Sequence, residues 1–522
     1  MTATRVAVIG AGIGGLVAAI DLAGRGLDVV VLERAATPGG KMRQVWVDGV
    51  ALDAGPTVFT MRWVFEAIFA DAGASLGTAL TLRPAEVLAR HAWHDGGRLD
   101  LFADIARSRD AIGAFAGASA ARGYVRFCAR ARRAYEVLDP AFIRARHPSM
   151  TALLKAAGPR GIATLVGLAP WASLWQALGR DFRDPRLRQL FARYATYCGA
   201  SPFQAPATLM LIAHVEREGV WLVEGGMHRL AVALAELAAA KGAVLRYNTA
   251  VQEILVTNGR PSGVRLVSGE RVAADAVVVN ADIAALASGA LGAAVVAAAP
   301  GVDPTRRSLS AVTWALHANT DGFPLLRHNV FFSRDYAAEF ADIFDRARLP
   351  AAPTVYVCAQ DRADDAAPIG GPERLLCLVN APACADTHPL TGTEIAECEE
   401  RTFALLAGCG LTVHRRPEAT QVTTPTDFAA LFPATGGALY GPAMHGAMAA
   451  FRRPAATTCM PGLYLTGGSV HPGAGIPMAA LSGRMAAAQL IADLGSTSRS
   501  HLVAMPGGTS MRSVTTVLTE SH

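Results

Sequence analysis

The chain has 522 residues, a net charge of +5 and only 17% charged residues, so it is long enough for two domains and too mildly basic for a nucleic-acid binder. Hydrophobic residues reach 52% and the mean hydropathy is +0.28, but alanine supplies much of both. The eight cysteines are scattered with no C-x-x-C pair, which removes a zinc-ligand rhythm and reads as reduced thiols in a cytoplasmic setting.

Residues 6–9 are a β-branched apolar run, the pattern of a strand buried on both faces. Gly10, Gly12 and Gly15 follow as G-x-G-x-x-G, with Ile13 and Gly14 between them and an Ala/Leu-rich helical stretch behind. A second strand over 29–32 ends in Glu33-Arg34. Strand, glycines, helix, strand and acid in that order predict a dinucleotide site: the glycines allow a tight turn and close approach to a pyrophosphate, and the helix end offers N–H groups. Glu33 is placed to accept hydrogen bonds from ribose hydroxyls, and its charge disfavours the 2′-phosphate of NADP. Because the N-terminus runs directly into this strand, no signal peptide is expected.

Pro38-Gly39-Gly40-Lys41-Met42-Arg43 forms a turn just beyond the acid, which would let backbone pass close to phosphate and ribose while Lys41 and Arg43 add positive charge. A short strand over 45–52 leads into Asp53-Ala54-Gly55-Pro56-Thr57. Glycine finger, Glu-Arg, Pro-Gly-Gly-Lys and Asp-x-Gly-Pro together resemble FAD-dependent amine-oxidase-like flavoproteins, and within them the bacterial carotenoid desaturases of the phytoene-desaturase type.

Residues 76–224 read as inserted material. Two strand-like runs flank Asp95-Gly96-Gly97, a hairpin signal; His91 and His94 there lack a third ligand and are expected as a strand-surface pair rather than a metal site. The stretch 120–147 is helical and basic, with Arg122, Arg126, Arg130 and Arg133 on one face, suited to solvent or to anionic lipid headgroups. Residues 161–178 are uncharged, as are 283–302. Pro170 interrupts the first and the second is mostly Ala and Gly, so neither reads as a membrane span. Trp171 and Trp175 lie one turn apart and fit either core packing or an interfacial foot.

Gly199-Ala-Ser-Pro202-Phe203, a helical stretch and Trp221-Leu-Val-Glu-Gly225-Gly226 follow in the order that resembles the desaturases. An alanine-rich helix over 230–241, a strand over 243–247 and hairpins over 251–272 lead to 276–279 and Asn280. A second excursion over 300–450 carries strand-like runs at 310–316, 354–359 and 375–380. The last anchor is Thr466-Gly467-Gly468-Ser-Val-His471-Pro-Gly-Ala-Gly-Ile476-Pro477-Met478, followed by Ser482-Gly483-Arg484. It is similar to the carotenoid desaturases and unlike amine oxidases. A helix starting at Ile476-Pro477 could aim N–H groups at the flavin N1–C2 edge, where reduction places negative charge.

The resemblance implies an α/β fold: a Rossmann-type FAD-binding domain with an inserted mixed α+β substrate domain. The flavin domain would comprise 1–75, 225–299 and 455–496, the substrate domain 76–224 and 300–454, and 497–522 a disordered tail. It places Gly10, Gly12, Ile13, Gly14, Gly15, Glu33, Arg34, Gly40, Lys41, Met42, Gly55, Pro56, Thr57, Val251, Asn280, Gly467, Gly468, Ile476, Pro477 and Met478 around FAD, with no metal. Residues 55–65 and 88–93 look like the 1-hydroxycarotenoid 3,4-desaturases of purple bacteria. That subfamily implies an acyclic carotenoid substrate, hydride transfer to flavin with proton loss, reoxidation by quinone or oxygen, and peripheral contact with the cytoplasmic face of a membrane. No catalytic base is singled out; His214, Glu216 and His471 are polar residues in apolar surroundings. A phytoene or other carotene desaturase, a redox-neutral carotenoid isomerase, an amine oxidase and a flavin-free lipid carrier of the same fold are the other readings.

Overall fold

The computed structural model describes residues 4–299, 301–363 and 369–503, with 496–503 described by backbone alone. Five parallel strands form the first sheet, in the order Leu463–Leu465, Ala276–Val279, Arg5–Ile9, Asp28–Leu32, Val244–Arg246. Start, middle and end of the chain thus meet in one sheet. Val6, Val8, Val29 and Val31 pack on one face against the helices Ile13–Ala23, His228–Ala240 and Ile476–Val503. Ala7, Ile9, Val277 and Val279 pack on the other against the antiparallel strands Val251–Thr257 and Arg260–Leu266. Burial on both faces explains why the strands read as unbroken apolar runs.

The second sheet has eight strands and draws on both excursions. Its order is Leu411–His414, Ser310–Gly322, Glu373–Ala381, Val355–Ala359, His328–Phe331, Val87–Ala92, Arg98–Phe102, with Thr420–Thr423 also paired to Ser310–Gly322. Only His328–Phe331 and Val87–Ala92 run parallel. One face is sealed by the helix Gly392–Gly408. The other faces the helical part of the first excursion and the hairpin Gln44–Val47/Val50–Asp53.

That hairpin replaces the single strand expected over 45–52. Asp48 and Gly49 have φ of 51° and 75°, the pair of left-handed residues that closes a two-residue turn. The hairpin expected around Asp95-Gly96-Gly97 is present, but its histidines do not form a surface pair. His91 has no exposed surface and stacks on Phe332, whereas His94 is exposed. The final helix, Ile476–Val503, runs through the first residues of the expected tail, because each added residue extends an existing hydrogen-bond ladder at low cost. The remainder of that tail, 504–522, lies outside the described residues.

In the helix Ala118–Leu138, Arg130 bonds Asp181 at 2.6 Å and Arg126 approaches it at 3.6 Å, while Arg122 and Arg133 are exposed. The two tryptophans diverge. Trp175 is half-buried against Phe203 under the Arg188 guanidinium, and Trp171 is 69% exposed. No helix among the described residues is long and apolar enough to cross a membrane.

Candidate active site

The turn between Arg5–Ile9 and Ile13–Ala23 packs backbone on backbone. A Cβ on Gly15 would overlap the Gly10 carbonyl oxygen, and one on Gly12 would stand 2.7 Å from Asn280 Nδ2. That Nδ2 donates to the Gly10 carbonyl at 3.2 Å. The helix that follows has no side-chain cap and no acid in its first turn, so its N–H groups and partial positive charge stay available to an anion. Gly39 N–H donates to the Ala11 carbonyl at 2.9 Å, and a Cβ on Gly40 would lie 3.3 Å from Gly12 Cα. Two glycine loops therefore run side by side at the C-terminal ends of the parallel strands.

Glu33 closes the second strand almost fully buried. Its carboxylate accepts from Ala11 N–H at 2.7 Å on one oxygen and from Ala35 N–H at 2.8 Å on the other. Each oxygen keeps lone-pair capacity for a ribose hydroxyl. The neighbouring cations point elsewhere. Arg34 Nη2 donates to the Ala430 carbonyl at 3.0 Å and to that of Leu431. Lys41 Nζ donates to the Leu439 carbonyl at 2.6 Å, and Arg43 Nη2 to Thr423 Oγ1 at 3.2 Å. These three side chains hold 423–439 over the loop, and because their acceptors are neutral oxygens their positive charge stays beside it. Burial lowers the Lys41 ammonium below its ordinary pKa, against the opposing pull of Asp282.

Asp53 explains the Gly225-Gly226 turn. Its carboxylate accepts from Met227 N–H at 2.5 Å and His228 N–H at 3.3 Å, capping the helix His228–Ala240 from a distant part of the chain. A Cβ on Gly226 would overlap that carboxylate. His228 Nε2 in turn meets the Pro38 carbonyl at 2.9 Å, tying the cap to the glycine loop. Gly55 passes the Lys41 carbonyl where a Cβ would overlap; Pro56 is exposed, Met42 buried and Met478 half-buried. Val251 opens its strand opposite Leu266, partly buried.

The C-terminal motif is equally interlocked. Gly467 N–H donates to Ser482 Oγ at 2.8 Å, which also meets Thr466 Oγ1 at 2.8 Å. Gly483 packs on the Gly14 carbonyl, where a Cβ would overlap, and Arg484 pairs with Asp21 and Asp71. Ser482-Gly483-Arg484 thus docks the last helix onto the first. The last helix begins Ile476-Pro477 with no acid in its first turn.

Three residues escaped the motif reading. Arg453, 4% exposed, donates to the carbonyls of Gly468, Tyr440 and Pro442 at 2.8–3.0 Å and fixes the Gly467-Gly468 turn. Gln360 brackets Asp53, accepting from its N–H at 3.0 Å and donating to its carbonyl at 2.8 Å. Tyr356 joins Thr57 Oγ1 and His328 Nδ1, each at 2.7 Å. Nothing local in the sequence marks any of them. Of the polar residues noted in apolar surroundings, Glu216 is held by Tyr194 at 2.7 Å and by Tyr197, and His214 accepts from Arg217 at 2.6 Å. His471 lies edge-on to Phe142, and burial lowers its pKa to about 4.

Two glycine turns that exclude a Cβ, an uncapped helix end at Ile13, a second helix start with no acid in its first turn and a buried acid with spare lone pairs fit a flavin dinucleotide. Among the described residues there is no cluster of three or more metal-ligating side chains.

The sequence matches the family of flavin-containing amine oxidoreductases over residues 13–491. It is 57% identical to a hydroxyneurosporene desaturase of Rubrivivax gelatinosus over 98% of both chains. It is 46% identical to a hydroxyneurosporene desaturase of Cereibacter sphaeroides, covering 95% of this chain and 99% of the other. A redesigned putrescine oxidase superposes with a TM-score of 0.57 at 13% identity, over 95% of this chain and 99% of the other, and shares the fold.

Proposed function

From the premise that this chain belongs to the flavin-containing amine oxidoreductase family, and within it to the bacterial carotenoid desaturases, we propose that it desaturates an acyclic 1-hydroxycarotenoid at C-3,4. It is an FAD-dependent oxidoreductase of the desaturase kind. The near-full-length relationship to the Rubrivivax protein carries the finer reading. Bound flavin supplies a hydride acceptor for the allylic C4 hydrogen, while C3 loses a proton.

The chain's part is to bind and orient. The helix ends at Ile13 and Ile476 would hold the cofactor's anionic groups, while Asn280 and Ser482 fix the two turns and Arg453 ties Gly468 to Tyr440 and Pro442. Positive charge left on C4 spreads along the polyene, so a weak base suffices. Glu216 and His214, both held by neighbouring side chains, act as structural groups. The three flavin-side pieces, 1–75, 225–299 and 455–496, work as one unit and the two excursions as the substrate domain.

The substrate dissolves only in bilayers, so the enzyme works as a peripheral protein on the cytoplasmic face of a membrane and passes electrons to quinone or oxygen. Met150 and Leu154, then Ile162 and Val166, are exposed apolar pairs one turn apart on Met150–Gly167. Trp171 follows them, and Lys155 and Arg160 lie exposed among them. This is the composition of an interfacial foot.

The test is anaerobic incubation of FAD-loaded protein in liposomes with 1-hydroxyneurosporene. A red shift of the carotenoid bands with stoichiometric flavin bleaching is the expected outcome. Conversion of phytoene instead, in a parallel tube, moves the enzyme to the phytoene branch. No bleaching with either substrate removes the desaturase reading in favour of an isomerase or a carrier.

A further inference from the structure

On the substrate-side face of the eight-stranded sheet, one row of side chains is unlike its surroundings. Across the strands, Val330 pairs with Tyr356 and Tyr356 with Leu378. Their opposite-facing neighbours Val355 and Val357 are fully buried beneath the helix Gly392–Gly408, whereas Tyr356, Leu378 and Asn380 keep partial exposure. The face as a whole packs on the first excursion and the hairpin, but around these three side chains the packing leaves accessible space.

Into that space the protein sets a chain of neutral polar groups: Thr57 Oγ1 to Tyr356 OH at 2.7 Å, and Tyr356 OH to His328 Nδ1 at 2.7 Å. The imidazole stacks on the phenol ring at 6.2 Å and is 3% exposed. Its burial, with Arg327 and Arg193 in the vicinity, lowers its pKa to about 3, so it stays uncharged at any working pH. Arg193 is itself engaged by Tyr197 and Glu216. Three linked polar groups in an apolar wall cost desolvation unless their remaining valences are met. Whichever way the protons run along the chain, Thr57 at its end keeps hydrogen-bonding capacity unfilled by it. With Arg193 so engaged and Arg327 donating to the Gln360 carbonyl, the arrangement suits a neutral alcohol, which both donates and accepts, better than a carboxylate.

We infer that Thr57 and Tyr356, backed by His328, form a subsite that hydrogen-bonds a hydroxyl group at the end of the substrate's apolar chain. The inference rests on the desaturase reading and deepens it: the oxygen of a 1-hydroxycarotenoid lies three bonds from C3, so the group that holds it must stand beside the reacting bond. Thr57 is among the residues the family resemblance places around FAD, and Asp53, four positions before it, is linked through His228 to the glycine loop. A site built around a substrate hydroxyl rejects the analogue that lacks it strongly, because the site's polar groups are then buried unpaired.

The experiment compares 1-hydroxyneurosporene with neurosporene in FAD-loaded wild type, Tyr356→Phe and Thr57→Val. It reads kcat/KM from flavin bleaching and, independently of turnover, Kd from quenching of protein fluorescence. The wild type is expected to prefer the hydroxylated carotenoid by at least a hundredfold in kcat/KM. Each variant is expected to lower that preference at least tenfold, with a parallel fall in the Kd ratio and little further loss in the double variant. A preference within twofold of wild type in both variants, or equal losses on both substrates, overturns the subsite. A wild type that bleaches with both carotenoids equally also overturns it while leaving the desaturase reading intact. A wild type that bleaches with neither removes the desaturase reading, and the Kd ratios then decide the subsite alone.

Discussion

Gly12 and Glu339 illustrate two ways in which single residues carry weight here. At Gly12 the constraint is space: a side chain would press on Asn280 and, on the proposed reading, crowd the approach of the cofactor's phosphates. Gly12→Val is therefore expected to yield folded protein without the yellow flavin absorbance and without activity, checked by absorbance and circular dichroism together. Carotenoid binding and function surviving the loss of flavin would instead favour a lipid carrier. At Glu339 the constraint is charge. The carboxyl is 1% exposed and accepts from Ser333 Oγ at 2.9 Å and Thr354 Oγ1 at 2.6 Å, yet burial dominates and pushes its pKa up to about 7. The folded state then keeps a proton that the unfolded chain releases near pH 4.5, so stability falls as pH rises from about 4.5 to 7 and is flat above. Glu339→Gln should erase that slope. Its melting temperature should match wild type at pH 4 and exceed it at pH 8, by the equivalent of at most about 3 kcal/mol. The glycines were legible in the sequence because their spacing is local. Arg453, Gln360 and Tyr356 were not, since their partners Gly468, Asp53 and Thr57 are supplied by folding.

Elements followed their local pattern where one neighbour decides the outcome. The finger helix, the strands of the parallel sheet and the Asp95-Gly96-Gly97 hairpin are where periodicity and turn chemistry put them. Boundaries moved where tertiary pairing took over: Ser310–Gly322 continues past its apolar core because Leu411–His414 pairs with its polar end. The helix Met150–Gly167, which no sequence pattern announced, is broken from within. Gly158 has φ 62° and ψ −177°, and Pro159 lacks an N–H. The break divides the exposed apolar pairs Met150/Leu154 and Ile162/Val166 between two short arms. Placing glutamate at both Ile162 and Val166 is expected to lower binding to anionic vesicles at least tenfold in a flotation assay, while flavin content and melting temperature stay at wild-type values. Unchanged flotation would assign the foot to another surface.

At the scale of the whole molecule, neither sheet belongs to one stretch of sequence. The larger sheet joins Val87–Ala92 to His328–Phe331, and the parallel sheet joins Arg5–Ile9 to Ala276–Val279 and that strand to Leu463–Leu465. Motifs could announce the three pieces of the parallel sheet because each carries glycine turns. In the larger sheet only the Asp95-Gly96-Gly97 hairpin is so marked, and the order of the other strands emerged only from the fold. A chain ending at residue 461 lacks both the last strand and the helix that Ser482, Gly483 and Arg484 dock onto the finger. Such a truncation is expected to bind no flavin in a dialysis assay, however much of the substrate domain it retains. The same assembly sets a timetable for biosynthesis. At ribosomal speeds of roughly 5–20 residues per second, the opening strand leaves the exit tunnel on the order of tens of seconds before its last sheet-mates are made. During that interval the nascent chain presents the β-branched edge of a sheet still waiting for its last strand.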